Sequence, residues 1–207
     1  MPIALDIKET LEDVGTAYAV KLGAVTIASG EYLDFDFSTT TNPFLRNFFL
    51  DATLPYDTAA SVGNVLTFST TQDSYLLMTK VPELFENTVL DFNCALYKCN
   101  VSGELYHASG EADWDATSYR KETQFGAPYA TNVYCLMVEP IVGNDLDVQQ
   151  ELATLNIFKD QVYIPHHFGV QLFDRFAPFS GEYFRIDGIV TRQFAGVDIC
   201  KISADTR

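Results

Sequence analysis

The first fifteen residues carry apolar side chains at helical spacing. They recur every three or four positions, acidic residues occupy the opposite side, and a glycine follows as a stop signal. This pattern predicts a short amphipathic helix, which either covers the core of its own chain or docks on a neighbouring subunit. The apolar positions are Ile3, Ile7, Leu11 and Val14, of which Ile7 and Leu11 are the interface candidates.

From Thr16 onwards, the pattern changes to short runs of β-branched and aromatic residues separated by Gly, Asn, Pro, Ser or Thr. Such runs are typical of β-strands. Several of them, such as YLDFDF, alternate apolar with acidic residues, which is the pattern of an antiparallel strand with one wet face. The run NVYCLMVEPIV is continuously apolar and suits a buried strand. We expect about ten strands, with a further helical turn or two at 145–158.

These elements predict a mainly β fold with a short N-terminal helix. Antiparallel sheets, a small β-barrel or a sandwich all fit, built from two similar halves that each contain hairpins. We place the first half at 1–101, a linker or long loop at 102–123 and the second half at 124–207, and the halves can pack as one domain. Trp114, the only tryptophan, lies in the polar linker and either folds back as a plug or is presented to a partner.

The halves share a weak internal similarity. The stretches NVLTFSTTQDSYLLMTKV and LFDRFAPFSGEYFRIDGI align without gaps when 108 is added to each residue number. Each stretch has a strand, a polar turn and a strand led by tyrosine, and a further apolar strand follows. The alignment pairs Phe68 with Phe176, Tyr75 with Tyr183, Met78 with Ile186, Val81 with Ile189 and Val89 with Val197.

This repeated unit resembles the small β-barrels of tailed-bacteriophage head-to-tail connector proteins, the adaptor, stopper and tail-terminator rings of the neck. The residues that carry the resemblance are Asn64–Phe68 with Ser74–Met78, and Asp174–Phe176 with Glu182–Ile186. The resemblance implies a ring-forming virion protein without enzymatic activity, whose partners are copies of itself and other neck or tail proteins. The chain is longer than a typical stopper, and PELFENT, Pro82 to Thr88, has no counterpart in that pattern.

The charge of the chain limits the kinds of partner that it can bind. It carries 28 Asp and Glu against 13 Lys and Arg, a formal net charge of −15, spread along the sequence. Such a surface repels nucleic acid within a Debye length of about 8 Å. Tight duplex binding needs a basic stripe, which these residues do not form, so DNA can pass the protein without being held. We find neither a signal-peptide pattern nor an 18-residue apolar run, and expect synthesis in the host cytoplasm, no membrane contact and a place in the virion.

The four cysteines predict structural thiols. Cys94 and Cys99 lie five residues apart on a predicted strand, where odd spacing points the side chains to opposite faces. Cys135 and Cys200 stand alone in apolar runs, as buried free cysteines do. We expect no metal site, and disulfides between subunits stay open.

Catalytic candidates are few. His166 and His167 are adjacent, so on a strand only one of them can serve a site, and His107 is the one other imidazole. The pairs Glu83 with Glu86 and Asp34 with Asp36 can be imagined as hydrolase carboxylates, although alternating acids usually form a solvated face. We therefore expect neither an enzyme nor a cofactor. A soluble β-barrel that binds a small ligand and a carboxylate-based hydrolase are the alternatives.

Two further segments are candidates for partner contact. PELFENT places Leu84 and Phe85 after Pro82 and between acidic residues, so its apolar tip either rims an interface or folds under as a plug. The tail, Ser203 to Arg207, extends into solvent or inserts into a neighbour, which makes Arg207 the last interface candidate.

Overall fold

The computed structural model describes residues 2–37, 48–108, 114–115, 120–121, 124–138 and 161–205. Within these ranges the fold is mainly β, with two closed six-stranded antiparallel barrels and one N-terminal helix. The predicted fold class is confirmed.

Helix α1 spans Pro2–Val14 and ends where the sequence predicts. The backbone N–H of Gly15 donates to the carbonyl of Leu11 at 2.8 Å, and a Cβ at this position would overlap both that carbonyl and the one of Leu33. The helix contacts strands of the first barrel, and Ala4 and Leu11 are buried. Ile3 and Val14, which the sequence places on the apolar side with Leu11, are 45% and 77% exposed, so only part of that side lies against the barrel.

The first barrel closes in the order β1-β2-β3-β6-β5-β4. Its inward positions alternate along every strand, as the pleat of a barrel requires, and fill the interior with buried apolar side chains, among them Tyr18, Leu33 and Leu96. Its strands are β1 Thr16–Leu22, β2 Val25–Phe37, β3 Phe49–Pro55, β4 Val65–Phe68, β5 Ser74–Phe85 and β6 Thr88–Lys98.

The second barrel closes in the order β10-β11-β14-β13-β12-β7, and Leu105, Val162 and Phe176 are among the side chains that fill it. A short two-stranded sheet of β8 and β9 lies between β7 and β10 in the chain, and a 3-10 turn, His166–Phe168, follows β11. The strands are β7 Val101–Tyr106, β8 Trp114–Asp115, β9 Arg120–Lys121, β10 Ala130–Val138, β11 Gln161–Pro165, β12 Arg175–Phe179, β13 Glu182–Phe194 and β14 Val197–Ala204.

The two barrels have the same topology. When the six strands of each barrel are numbered in chain order, both rings close in the order first, second, third, sixth, fifth, fourth. Their registers agree as well. The inward row Phe35–Ala52–Cys94 runs across β2, β3 and β6, and its equivalent across β10, β11 and β14 is Met137–Val162–Cys200. Both rings also carry a register shift at the same place in the fifth strand, at Met78 and at Asp187. The halves are therefore structural repeats.

The gap-free alignment with an offset of 108 is wrong in register. A matching pair of turns shows this: Asn64 Oδ1 accepts from the N–H of Ser61, and Asp174 Oδ2 accepts from the N–H of Gln171. The carbonyls of Asn64 and Asp174 accept from Leu77 and Ile186, so the second hairpin is one residue shorter. Hence Leu66 corresponds to Phe176, Tyr75 to Phe184 and Leu77 to Ile186.

Two local assignments differ from the sequence prediction. Residues 102–106 lie in strand β7 rather than in a linker, since Leu105 alternates inward and pairs with Phe176. His166 and His167 lie in a 3-10 turn and not on a strand, because β11 ends at Pro165 and Gly169 follows with φ 63°. The helical turn predicted at 145–158 lies outside the described residues.

Candidate interaction surface

The barrels contact each other through unlike faces. The first barrel contributes the outer side of β4 and β5, where Val65 and Leu76 are directly opposite each other and Met78 follows. The second barrel contributes the outer side of β10, β11 and β14, through the row Leu136–Tyr163–Ile199. All six side chains are buried. A contact between different faces of two equivalent units is heterologous, which is the head-to-tail arrangement.

Aromatic and polar contacts extend this junction. Tyr97 of β6 lies edge-on to Tyr163, with ring centroids 5.8 Å apart, and to Phe194 at 6.5 Å. The Lys21 ammonium stands 5.2 Å from the ring centroid of Tyr134. The side chain of Asn100, between the barrels in the chain, accepts from the N–H of Met137 and donates to its carbonyl, both at 2.8 Å. The junction is therefore fixed in position as well as buried.

Two turns meet at one edge of the junction. Gly63 lies in the turn before β4, Gly196 lies in the turn of the β13–β14 hairpin, and both have positive φ, 87° and 88°. A Cβ on Gly63 would overlap the carbonyl of Gly196, and a Cβ on Gly196 would overlap the carbonyl of Val62. Glycine is required at both positions because the two backbones touch.

The first barrel has an exposed face at the position that the second barrel uses for the junction. The register places Asp34–Thr53–Asn93 where the second barrel has Leu136–Tyr163–Ile199. Asp36 and Asp51 lie opposite each other in the next outward row. These residues line an open depression of about 410 Å³, and the three aspartates are exposed. We call the outer side of β2, β3 and β6, with these five residues, the acidic face.

The second barrel has the complementary side, which is partly exposed: the side chain of Arg185 is 41% exposed and that of Arg175 is 12% exposed. Arg175 and Arg185 are directly opposite each other on β12 and β13, at the positions of Val65 and Leu76. Arg175 Nε donates to Asp205 at 2.9 Å and its guanidinium stacks on Phe125, whereas Arg185 Nε donates to Asp187 at 2.6 Å and is partly exposed. We call this side, with the preceding turn residues Leu172 and Phe173, the outer face.

Burial opposes ionisation of Asp187, but the hydrogen bonds from Ser203 and Arg185 outweigh it. Together with the charges of Arg185 and Lys201, they hold the pKa of Asp187 below its ordinary value. The carboxylate therefore stays ionised beside Arg185 over the whole physiological pH range.

The predicted interface residues lie in different parts of the molecule. Ile7 is half-buried, whereas Leu11 is only 6% exposed and is buried within the chain itself. Pro82, Leu84 and Phe85 are exposed near the tip of the β5–β6 hairpin. Trp114 lies in β8, where the structure describes the backbone alone, and Arg207 lies outside the described residues. Of the predicted tail, Ser203 and Ala204 belong to β14.

The cysteines lie in apolar surroundings. Cys94, Cys135 and Cys200 are buried inside the barrels, and Cys99 belongs to the junction. Burial raises the pKa of Cys94 and of Cys99 to about 12. Both thiols are therefore protonated at neutral pH and are poor nucleophiles and poor metal ligands. Within the described ranges, no three His, Cys, Asp or Glu side chains group as a metal site would require.

Each histidine has a local partner. His107 Nδ1 lies 2.8 Å from Asp174 Oδ1, and the same carboxylate accepts from the hydroxyl of Tyr129 at 3.1 Å. His166 Nδ1 lies 2.9 Å from the buried carboxylate of Asp198. The ring of His167 packs at a tilt against Phe168, and burial, followed by the neighbouring His166, lowers the pKa of His167. The histidines tie turns to strand ends and do not converge on one cleft.

The predicted carboxylate pairs stand on the surface. Asp34 and Asp36 share the outer side of β2, whereas Glu83 lies on β5 and Glu86 in the following turn. Three aspartates are buried in the described part of the chain, Asp91, Asp174 and Asp198, and one oxygen of Asp91 has no hydrogen-bond partner there. Burial, followed by the nearby Glu83, raises the pKa of Asp91.

The fold and its surfaces define a tandem of two structurally repeated six-stranded antiparallel barrels, joined through unlike faces. No protein family, no curated protein and no solved structure matches the chain. Among the described residues, no helix has the length and apolar content needed to span a bilayer.

Sequence reasoning treated the acids of the acidic face as a solvated surface and did not assign Arg175 or Arg185 to an interface. The sequence did contain a signal for both faces, because equivalent outward positions are apolar in one half of the chain and charged in the other half. Reading that signal required the correct register, which the one-residue difference between the hairpins concealed.

Proposed function

We propose that the chain is a structural virion protein of a tailed bacteriophage. It forms a homo-oligomeric ring at the head-to-tail neck, joins neighbouring neck or tail proteins and lets DNA pass. It has no catalytic activity in this role and needs no cofactor. The observation that carries the proposal is the heterologous packing of the two barrels, because a chain that already joins two equivalent units head to tail is suited to continue that contact around a ring.

The charge of the chain supports a channel role. A formal net charge of −15 repels a polyanion, so that a duplex moves past the protein instead of adhering to it. Exposed carboxylates outside the acidic face, such as Glu9, Asp13 and Glu182, provide this repulsion.

The packed interiors of the barrels disfavour the ligand-binding alternative. Each barrel is filled by its own apolar side chains, including Leu54 and Leu66 in the first and Leu105 and Phe176 in the second, all fully buried. A small molecule inside either barrel would have to displace this core. A hydrolase that uses paired carboxylates would instead need an enclosed cleft, whereas Asp34 and Asp36 border an open depression.

Quantitative mass spectrometry of purified phage particles tests the proposal. We expect the chain in every preparation at a small fixed copy number per particle, measured relative to the major head protein. A replication protein of the same phage is the matched control and should be absent. Mass photometry of the purified chain should show one closed oligomer. A chain that is missing from particles, or that hydrolyses a substrate as a monomer, would contradict the proposal.

A further inference from the structure

Each barrel has both of the faces that could form such a junction, and within the chain each barrel uses only one of them. The first barrel uses its β4–β5 side in the junction and leaves its β2–β3–β6 side exposed as the acidic face. The second barrel uses its β10–β11–β14 side and leaves its β12–β13 side exposed as the outer face. We propose that the outer face of one copy docks on the acidic face of a second copy and thereby repeats the internal junction. This inference rests on the proposed function and identifies the two surfaces that close the ring.

The register supports this pairing position by position. The pair Val65–Leu76 meets the second barrel inside the chain, and the equivalent pair is Arg175–Arg185. On the receiving side, the row Leu136–Tyr163–Ile199 has Asp34–Thr53–Asn93 as its equivalent. Each surface that the proposal brings together is therefore a structural copy of a surface that is already an interface.

The chemistry of both surfaces changes in a matched way. The internal junction joins an apolar surface to an apolar surface, whereas the outer face presents the partly exposed Arg185 and the acidic face presents three exposed aspartates. Arg175 is mostly covered and is paired with Asp205, so Arg185 is the arginine of this face that a partner can reach. Opposed charges at a subunit interface select the partner and orient it.

The acidic face provides charges for the arginines to meet. In the described part of the chain, no lysine or arginine forms an ion pair with Asp34, Asp36 or Asp51. Arg185 has a partly exposed side chain, although Asp187 offsets some of its charge. Docking would place this guanidinium near uncompensated carboxylates.

The edge of the junction is repeated in part. Phe173, with φ 69°, occupies the position of Gly63. On the other side, Gly196 corresponds in register to Leu90, because Val197 corresponds to Asp91, so the β5–β6 hairpin, with its turn at Asn87, extends beyond the position of the Gly196 turn. Leu172 and Phe173 are 53% and 56% exposed, and near Asn87 the hairpin residues Leu84 and Phe85 are 61% and 48% exposed. The proposed contact brings Leu172 and Phe173 near this longer hairpin, whose exposed Leu84 and Phe85 supply apolar surface for them.

The resulting ring alternates two kinds of interface. The one inside each chain is apolar and permanent, as interfaces of obligate assemblies are. The one between chains combines an apolar edge with opposite charges. A ring of any number of subunits would therefore contain twice that number of barrels, all with nearly the same orientation to the ring axis.

Charge reversal on one face at a time tests the pairing. The acidic-face variant is Asp36→Arg/Asp51→Arg, and its control with the same change in charge is Glu9→Arg/Asp13→Arg on exposed positions of α1. The outer-face variant is Leu172→Glu/Arg185→Glu, and its control is Val25→Glu/Arg192→Glu on exposed positions of β2 and β13. The oligomeric state of each is measured by mass photometry and analytical ultracentrifugation, and folding by circular dichroism.

We expect both face variants to be folded monomers and both controls to form the wild-type oligomer. The dissociation constant between subunits should rise at least about tenfold in each face variant, because like charges would then oppose each other. Mixed in equal amounts, the two face variants should associate, first to a one-to-one dimer. In such a mixture, one intact outer face meets one intact acidic face, and the two reversed faces carry opposite charges that allow larger oligomers to form.

Three results would overturn the inference: a wild-type chain that stays monomeric, face variants that keep the oligomer, or a mixture that fails to form the dimer. The experiments also distinguish failure of this inference from failure of the proposed function. If the wild-type chain forms a ring and occurs in particles while both face variants also do so, the ring stands and its interfaces lie elsewhere. If the mixture forms the dimer but the chain is missing from particles, the contact stands and the virion role is lost.

Discussion

At the scale of single residues, the contact between Gly63 and Gly196 makes the sharpest prediction. Gly63→Ala should destabilise the chain for two reasons: alanine disfavours a φ of 87°, and its Cβ overlaps the Gly196 carbonyl. Gly181→Ala is the matched control, because Gly181 has a φ of 89° and no heavy atom lies within 4 Å of the position that an added Cβ would take. Urea unfolding should show a loss of about 1 kcal/mol for the control and at least about 2 kcal/mol more for Gly63→Ala. Equal losses would contradict a tight contact between the turns.

Asp91 is the second residue whose environment predicts a measurable effect. Its equivalent in the second barrel is Val197, because Pro55 pairs with Asp91 as Pro165 pairs with Val197. Asp91→Val should stabilise the chain at pH 7 by about 1–3 kcal/mol, since it removes a buried polar group whose one oxygen has no partner among the described residues. Thermal unfolding at several pH values measures this gain.

The pH dependence of that gain has a defined sign. The pKa of Asp91 is raised in the folded chain, so above the raised pKa the folded state must bury a charge that the unfolded state exposes to water. Below the ordinary pKa the carboxyl is neutral in both states. The advantage of Asp91→Val over the wild type should therefore shrink as the pH falls from 7 to 4. Asp91→Asn separates charge from polarity, and its stability relative to Asp91→Val should not change with pH.

At the scale of elements, helix α1 raises the question whether it covers its own barrel or a neighbour. Leu11 is 6% exposed, whereas Leu5 on the same helix is 46% exposed. Leu11→Ala should therefore cost the isolated chain about 2–4 kcal/mol, and Leu5→Ala less than about 0.5 kcal/mol. Chemical denaturation of the two variants under conditions that keep the chain monomeric measures the difference. A small loss for Leu11→Ala would mean that the helix depends on another subunit.

The elements were the part of the fold that the sequence predicted well. Alternation in YLDFDF and the unbroken apolar run NVYCLMV depend on the period of a strand, which is local information. Strand β10 is apolar on both of its sides because both sides are covered in the fold. Val133, Cys135 and Met137 face the barrel interior, whereas Tyr134 and Leu136 face the junction. Local patterns identified the strand but not which partner each side of it meets.

Register was the part that the sequence could not supply. The one-residue difference between the two hairpins changes which side chains are equivalent, and a gap-free alignment therefore matched Tyr75, which is buried, with Tyr183, which is exposed. Strand β7 was missed for a related reason. VSGELY is short and polar on its outer side, and only pairing with distant strands β10 and β12 makes it part of a barrel.

At the scale of the whole molecule, the shared apolar junction joins two barrels that each have a core of their own. Because the junction buries residues from both, the chain should unfold in one cooperative transition. Without it, each closed barrel keeps its own filled interior, so the two units can unfold separately. The strength of the junction therefore decides whether the protein behaves as one domain or as two.

Leu76→Arg tests that coupling directly. Leu76 is fully buried in the junction, and its equivalent, Arg185, shows that a barrel accommodates arginine at this position when it faces outward. The substitution buries an unpaired charge between the barrels and should separate them while leaving each interior intact. We expect two transitions in calorimetry in place of one. Val25→Arg, at a 64% exposed position of β2, should keep the single transition. One sharp transition in Leu76→Arg would mean that the barrels do not fold independently.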